Sequence, residues 1–229
     1  MPLITNQSSR IVGFTWALIC LTGCGPSASS EQSIVDDLKQ MGVLVLKNND
    51  SGFATVVNIS VIADKASVSD AINKTAKLSR LTVFNAIGLE LSSDDVTTIG
   101  RMSTLIELNL TTTNLDDDGL AKLTGLAGLN TLYIAETELT DAGMGSLDRF
   151  VNLKIIGLGA NTITKPLTAL TKLDHLQWID LSSMAVGDEI LAGLADVESL
   201  ETISLQASTY SQEAFNRLKQ ARRDIEFKL

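Results

Sequence analysis

The stretch from Leu129 to Met144 reads Leu-Asn-Thr-Leu-Tyr-Ile-Ala-Glu-Thr-Glu-Leu-Thr-Asp-Ala-Gly-Met. Counted from Leu129, apolar residues fall three, five and ten places on, at Leu132, Ile134 and Leu139. The alternation around Leu132 and Ile134 has period two and predicts a short strand. What decides the fold is that the pattern returns. Leu81, Leu105, Leu129, Leu153, Leu176 and Leu200 open successive units, 24 residues apart except for one step of 23. Three and five places after these leucines stand Leu108 and Leu110, Ile156 and Leu158, Ile179 and Leu181, Ile203 and Leu205. Ten places on stand Leu91, Leu115, Ile163 and Val186, with Tyr210 as the variant. A fixed period of this length marks stacked units rather than an irregular globule.

The second half of each unit changes period. Apolar residues spaced by three, as in Leu120, Leu123 and Leu126, suit a helical or 3₁₀ turn. Eleven places into the units stand Ser92, Asp116, Thr140, Thr164, Gly187 and Ser211. These residue types favour the N-cap, where a short side-chain oxygen accepts from the first free N–H groups of a helix; glycine serves more weakly. Pro166 suits an opening turn, where no N–H is needed. A strand and a helix per unit, with the strands stacked in parallel, give a curved solenoid.

This pattern resembles that of leucine-rich-repeat proteins, over about residues 56–229. The variant is similar to a bacterial type, L-x-x-L-x-L-x-x-T-x-[IV]-T-D-x-G-[LM], which Leu129 through Met144 follows with Thr137, Thr140, Asp141 and Gly143. The resemblance implies an α/β right-handed solenoid with a parallel concave β-sheet, short convex helices and an N-terminal helix/strand cap. The place that often holds a ladder-forming Asn in that family holds Leu89, Thr113, Thr137, Asn161, Met184 and Ser208 here. Hydroxyls replace part of such a ladder. Leu89 and Met184 cannot, so their turns are expected to be irregular.

Terminal units would expose the core unless covered. Ile34, Leu38 and Met41 sit at helical spacing and predict an amphipathic cap over residues 34–55. Val43–Leu46 and Phe53–Val61 predict strands around the turn-rich 48–52, with Val56, Ile59 and Val61 as a degenerate first repeat. Ile225, Phe227 and Leu229 alternate, as a closing edge strand would.

The N-terminus has a different grammar. Arg10 is the only charged residue before Glu31 and precedes an apolar run from Ile11 to Leu21. Eleven residues of helix rise only about 17 Å, short of a hydrocarbon core of about 30 Å. The run therefore predicts a secretory signal peptide over residues 1–23. Leu21-Thr22-Gly23-Cys24 resembles the lipobox of bacterial lipoproteins. The resemblance implies that Cys24 becomes the first mature residue and carries lipid. Residues 24–33 then form a lipidated tether, and Gly25 after Cys24 points toward the outer membrane. Localisation in the cell envelope is the expectation.

Composition narrows the chemistry. The net charge of −9 becomes −10 once Arg10 is removed with the signal peptide, which disfavours nucleic acid as a partner. Both cysteines, Cys20 and Cys24, precede the repeats, so the repeats hold no disulfide and no cysteine metal site. His175, the only histidine, lies in a turn with no nucleophile motif around it. Asp116-Asp117-Asp118 lies on a predicted cap and first turn, where a helix dipole favours carboxylates, and reads as structural rather than as calcium ligands. Gly157-Leu158-Gly159 lies within a predicted strand and not between strand and helix, unlike a phosphate loop. No catalytic set, cofactor or metal is expected.

What remains is a face for binding. Side chains two, four and six places after each opening leucine oppose the core and line the concave sheet. Most are small or polar, as are Thr131, Ala135, Ser182, Thr202 and Ser204. Tyr133 and Trp178 are large, and Ile155, Gly157 and Gly159 lie on the strand between them, with Asp180 beside. The candidate binding residues are therefore Tyr133, Ile155, Gly157, Trp178 and Asp180. The glycines are expected to leave a shallow floor between two aromatic anchors. In the alternative, Trp178 covers Gly157 and only adds packing. The expected function is a membrane-anchored module that recognises a protein or other envelope component through this face; the alternative is a passive, self-associating envelope protein.

Overall fold

The apolar alternation around Leu132 becomes a column of buried side chains. In the computed structural model, which describes residues 27–229, Phe84, Leu108, Leu132, Ile156, Ile179 and Ile203 stand in register on neighbouring strands, all at 0% exposure. The predicted signal segment 1–23 and the predicted lipidation residue Cys24 lie outside the described residues. Burying one such side chain contributes about 1.5–3 kcal/mol, so the column adds substantially to the cohesion between units.

Among the described residues one sheet runs in chain order through β1 Leu44–Lys47, β2 Ala54–Asn58, β3 Val83–Asn85, β4 Glu107–Asn109, β5 Thr131–Tyr133, β6 Ile155–Gly157, β7 Trp178–Asp180, β8 Thr202–Ser204 and β9 Glu226–Lys228. From β2 onward all neighbours are parallel, and β1 is antiparallel to β2. Opposite the sheet lie α2 Val68–Thr75, α3 Ser93–Ile99, α4 Asp117–Leu123, α5 Asp188–Leu194 and α6 Gln212–Ala221, after an N-terminal α1 Gln32–Gln40. The two central units replace the helix with 3₁₀ turns at Gly143–Arg149 and Thr168–Lys172. None of the described helices is long and apolar enough to cross a membrane.

Every unit turns off its strand the same way. The residue seven places after the opening leucine has positive φ: Gly88, Thr112, Glu136, Ala160, Ser183 and Ala207. In the first five its amide donates to the next unit, at 3.0 Å for Gly88 to the Thr111 carbonyl and 2.9 Å for Ser183 to the Gln206 carbonyl. The turns at Leu89 and Met184 are therefore regular, contrary to the expectation above. A backbone bond holds them, and no side chain at the ladder place is required. Where that place is polar it adds bonds. Asn161 donates to the carbonyls of Ile134 and Leu158 and accepts from the Thr137 amide at 2.9 Å. Thr113 and Ser208 each donate to a carbonyl at 2.7 Å.

Four predicted caps stand at helix N-termini, Gly187 before α5 without a side-chain bond and three with one. Ser92 forms a reciprocal capping box with Asp95, Asp116 accepts from the Gly119 amide, and Ser211 accepts from the Ala214 amide. Thr140 and Thr164 do not cap a helix. Their hydroxyls donate instead to Asp117 at 2.6 Å and Asp141 at 2.7 Å, carboxylates of the preceding unit, which also accept the two threonine amides. The 3₁₀ turns start later in the chain, and Pro166 lies ahead of the second, its carbonyl accepting from Thr168.

The cap at the N-terminus starts earlier than its predicted boundary at 34. Helix α1 begins at Gln32, and the buried Glu31 accepts from the Ser79 amide at 2.8 Å. Val35 and Leu38 are buried, with Ile34 and Met41 packed beside them. The first unit also has a different phase. Val57 and Ile59 point inward, whereas Val56 is half-buried and Val61 exposed. Val57 pairs with Phe84, a step of 27 residues, and this unit carries an added 3₁₀ turn at Lys65–Ser67 ahead of α2. At the other end β9 closes the sheet. Arg222 covers the last turn, its guanidinium donating to the carbonyls of Val197 at 2.7 Å, Leu200 at 2.8 Å and Glu198 at 3.2 Å, while it pairs with Asp224.

Candidate functional site

Two columns of side chains line the concave sheet at its centre. One runs Glu107, Thr131, Ile155, Trp178, Thr202, Glu226; the other runs Asn109, Tyr133, Gly157, Asp180, Ser204, Lys228. The inward residue between each pair is buried from β4 to β8, with Phe227 on β9 partly buried, so the two columns face outward together. All five candidate binding residues lie in this central area, and Gly157 places them around itself: Tyr133 beside it on β5, Asp180 beside it on β7, Ile155 two residues earlier on its own strand, and Trp178 diagonally across.

The expected shallow floor is absent. Gly157 is buried, and a Cβ built on it would lie 2.8 Å from Tyr133 Cδ1. Tyr133 leans across β6 over the glycine, where it meets Trp178 edge-to-face with ring centroids 6.4 Å apart. The missing side chain makes room for a neighbouring ring instead of a ligand. It is Tyr133, not Trp178 as in the packing alternative, that covers the glycine. Gly159 is also buried, its Cβ position 2.7 Å from the Ser182 carbonyl oxygen. Adjacent rings of this kind stabilise one another and form a joined apolar surface.

Tyr133, Trp178, Ile155 and Asp180 are all half-buried, so the patch stays accessible. Lys228 reaches back from β9 and puts its ammonium 5.6 Å from the centre of the Trp178 ring. The indole Nε1 is buried without a hydrogen-bond partner. Asp180 accepts from the Ser182 amide at 2.9 Å and from its hydroxyl, which fixes the carboxylate at the rim. Burial raises the Tyr133 phenol above its ordinary 10.0, and the charges of Glu107 and Asp180 add to the rise. The raised phenol, beside an indole, leaves an aromatic surface with a polar rim.

The sequence reading missed two features of this face. Glu107, two places after Leu105, obeys the concave-face rule, but its contribution to Tyr133 comes from the neighbouring strand of the preceding unit. Lys228 belongs to the closing strand and meets Trp178 only through the stacking of units. A separate apolar area lies at the N-terminal end, where Leu44 and Leu46 are each 50% exposed and stand in register with Asn58 and Val56. The all-apolar run Val43–Leu46, on an edge strand with one buried face, is the signal that marks it.

The remaining candidates have structural employment. Asp116 and Asp117 are engaged with backbone amides and with Thr140, as described above. His175 lies on a polar surface near Lys154, Asp174, Gln177 and Glu201. Leu158 is fully buried between Gly157 and Gly159, as a strand residue is.

No family model matches the sequence. No curated protein matches it either. Solved structures do. An internalin (inlF) from Listeria monocytogenes superposes with a TM-score of 0.55 at 20% identity, over 70% of this chain and 43% of its own. A leucine-rich-repeat protein from Leptospira interrogans superposes with a TM-score of 0.52 at 17% identity, over 68% of this chain and 45% of its own. The fold is a leucine-rich-repeat solenoid. The chain spans less than half the length of either of these two leucine-rich-repeat structures. At such identities the likeness concerns the backbone, and the concave side chains must be read from this chain alone.

Proposed function

We propose that the chain is a binding module of the bacterial cell envelope that holds a protein partner on its concave face. The observation that carries this reading is the joined Tyr133–Trp178 surface at the centre of the sheet. Large aromatics in the middle of a concave face are the usual anchors of an interface, and the surrounding small residues let a partner approach the backbone. The solenoid supplies a rigid curved support, and no catalytic group converges there. The lipobox-like Leu21-Thr22-Gly23-Cys24 supports a lipid anchor on Cys24, with the outer membrane as the favoured site.

Two measurements test the two halves. Envelope extract is passed over the immobilised protein and over Tyr133→Ala and Trp178→Ala, with urea unfolding run on each. Loss of the same captured protein from both variants, at near-wild-type unfolding midpoints, is expected; undiminished capture removes the patch from the function. For the anchor, the wild type is expected to enter the detergent phase with lipid mass on Cys24, and Cys24→Ser to remain aqueous. Equal partition of the two defeats the lipoprotein reading. A second reading, passive self-association, is favoured by the exposed Leu44 and Leu46 on the edge strand β1, and predicts that only the chain itself is recovered.

A further inference from the structure

The concave strands have a one-sided charge. From β2 to β8 they carry Glu107 and Asp180 and neither lysine nor arginine. Asp180 spends one carboxylate oxygen on Ser182, and among the described residues neither Asp180 nor Glu107 enters an ion pair. Tyr133 lies between these two carboxylates, and Trp178 adjoins it edge-to-face. A cation already visits this place. The Lys228 ammonium lies over the Trp178 ring, held by no carboxylate there. The ring's electron-rich face attracts a positive group, and flanking carboxylates strengthen that attraction.

We propose that this patch takes a cationic side chain, an arginine or lysine on an exposed segment of the partner protein, and that Lys228 is its internal competitor; the proposal rests on the concave face being the binding face. The partner's cation settles between the Tyr133–Trp178 surface and the carboxylates of Glu107 and Asp180, and its chain crosses the small residues Thr202 and Ser204. An acidic partner segment would instead meet Glu107, Asp180 and Glu226 with one lysine to offset them.

The sequence supplies a probe. Trp16 and Trp178 are the only tryptophans, so the full chain with Trp16→Phe reports from Trp178 alone. Its fluorescence is titrated with a Gly/Ser peptide carrying two arginines and with the same peptide carrying citrulline, which keeps the shape and removes the charge. The arginine peptide is expected to change the emission saturably, with the citrulline peptide at least tenfold weaker. Asp180→Asn and Glu107→Gln should each weaken the arginine peptide several-fold, Lys228→Met should tighten it, and Glu213→Gln on α6 should leave it unchanged. Equal binding of the two peptides, or weakening by Glu213→Gln as large as by Asp180→Asn, overturns the proposal, the latter by showing attraction to net charge alone. The same variants in the envelope capture separate the two levels. If capture requires Trp178 but the arginine peptide leaves the emission unmoved, the binding face stands and the cationic partner is refuted. If capture is indifferent to Trp178, the face itself is wrong.

Discussion

Tyr133 and Gly157 share one volume: the ring occupies the space into which a side chain at 157 would grow, with only 2.8 Å between Cδ1 and the position of a Cβ. The glycine therefore shapes the aromatic surface without touching a ligand. Gly157→Ala is expected to push Tyr133 off the strand, to change the fluorescence of Trp178, and to cost about 1–3 kcal/mol, the usual range for overpacking. Retention of the wild-type spectrum and stability would show that the ring has no fixed seat there.

The strand phase makes a sharper demand. Leu132 is fully buried, and its neighbour Thr131 is half-buried on the concave face. Leu132→Ala is expected to cost about 2–5 kcal/mol, as cavity-forming substitutions of leucine do. Thr131→Ala should shift the urea midpoint far less. Similar small shifts for both would be incompatible with the column of inward side chains.

Arg222 holds the C-terminal end by bonding to the carbonyls of Val197, Glu198 and Leu200, and its side chain is only 13% exposed. Arg222→Ala should cost about 1–3 kcal/mol, the range for part-buried acceptors that lose a charged donor. Asp224→Ala removes only a solvent-exposed partner and should have a much smaller effect. Thermal unfolding of the two variants decides whether the carbonyls or the ion pair matter.

Asp141 links two units through the hydroxyl and amide of Thr164 and the amide of Lys165, and these bonds hold its carboxyl below the ordinary 3.8. The folded state thus favours the ionised form. Its contribution is complete above the unfolded value and disappears as pH falls through the lowered one. Stability is expected to fall below about pH 4, where ordinary carboxylates take up protons, and to fall less steeply in Asp141→Ala. Parallel pH curves for the two proteins would remove this bond from the acid response.

The repeat was legible because it rests on local periodicity: the opening leucines and Leu132, Ile156 or Ile179 announce an inward column in any one unit. So were Ser92, Asp116 and Ser211, whose capping partners lie three residues away. Thr140 and Thr164 have the same chemistry but are taken by Asp117 and Asp141, one whole unit back, a relationship that no window of a single unit contains. The first unit was misphased for a related reason. The step here is 27 residues, and laying the zero, three, five pattern on Val56, Ile59 and Val61 gets Ile59 right but misses Val57, which faces inward in register with Phe84. At the candidate site the sequence placed these residues on the concave face and misjudged the space between them. Period two tells which face a ring leaves from; the direction in which Tyr133 then leans depends on the empty place at Gly157.

The recurring left-handed turn leaves the solenoid with unused thermostability. Thr112, Glu136, Ala160, Ser183 and Ala207 adopt a backbone shape that disfavours any side chain, at about 1–2 kcal/mol each. Gly88 occupies the equivalent place without that penalty, although glycine loses about 0.5–1 kcal/mol of chain freedom on folding. The difference favours glycine slightly, and it recurs along the molecule. Ala160 is exposed, so its replacement removes almost no contact. Ala160→Gly is expected to leave the melting temperature unchanged or raise it, and a clear drop would show that the turn carries no strain. Because the sites belong to different units, such gains should accumulate with each glycine added, leaving the concave face as it is.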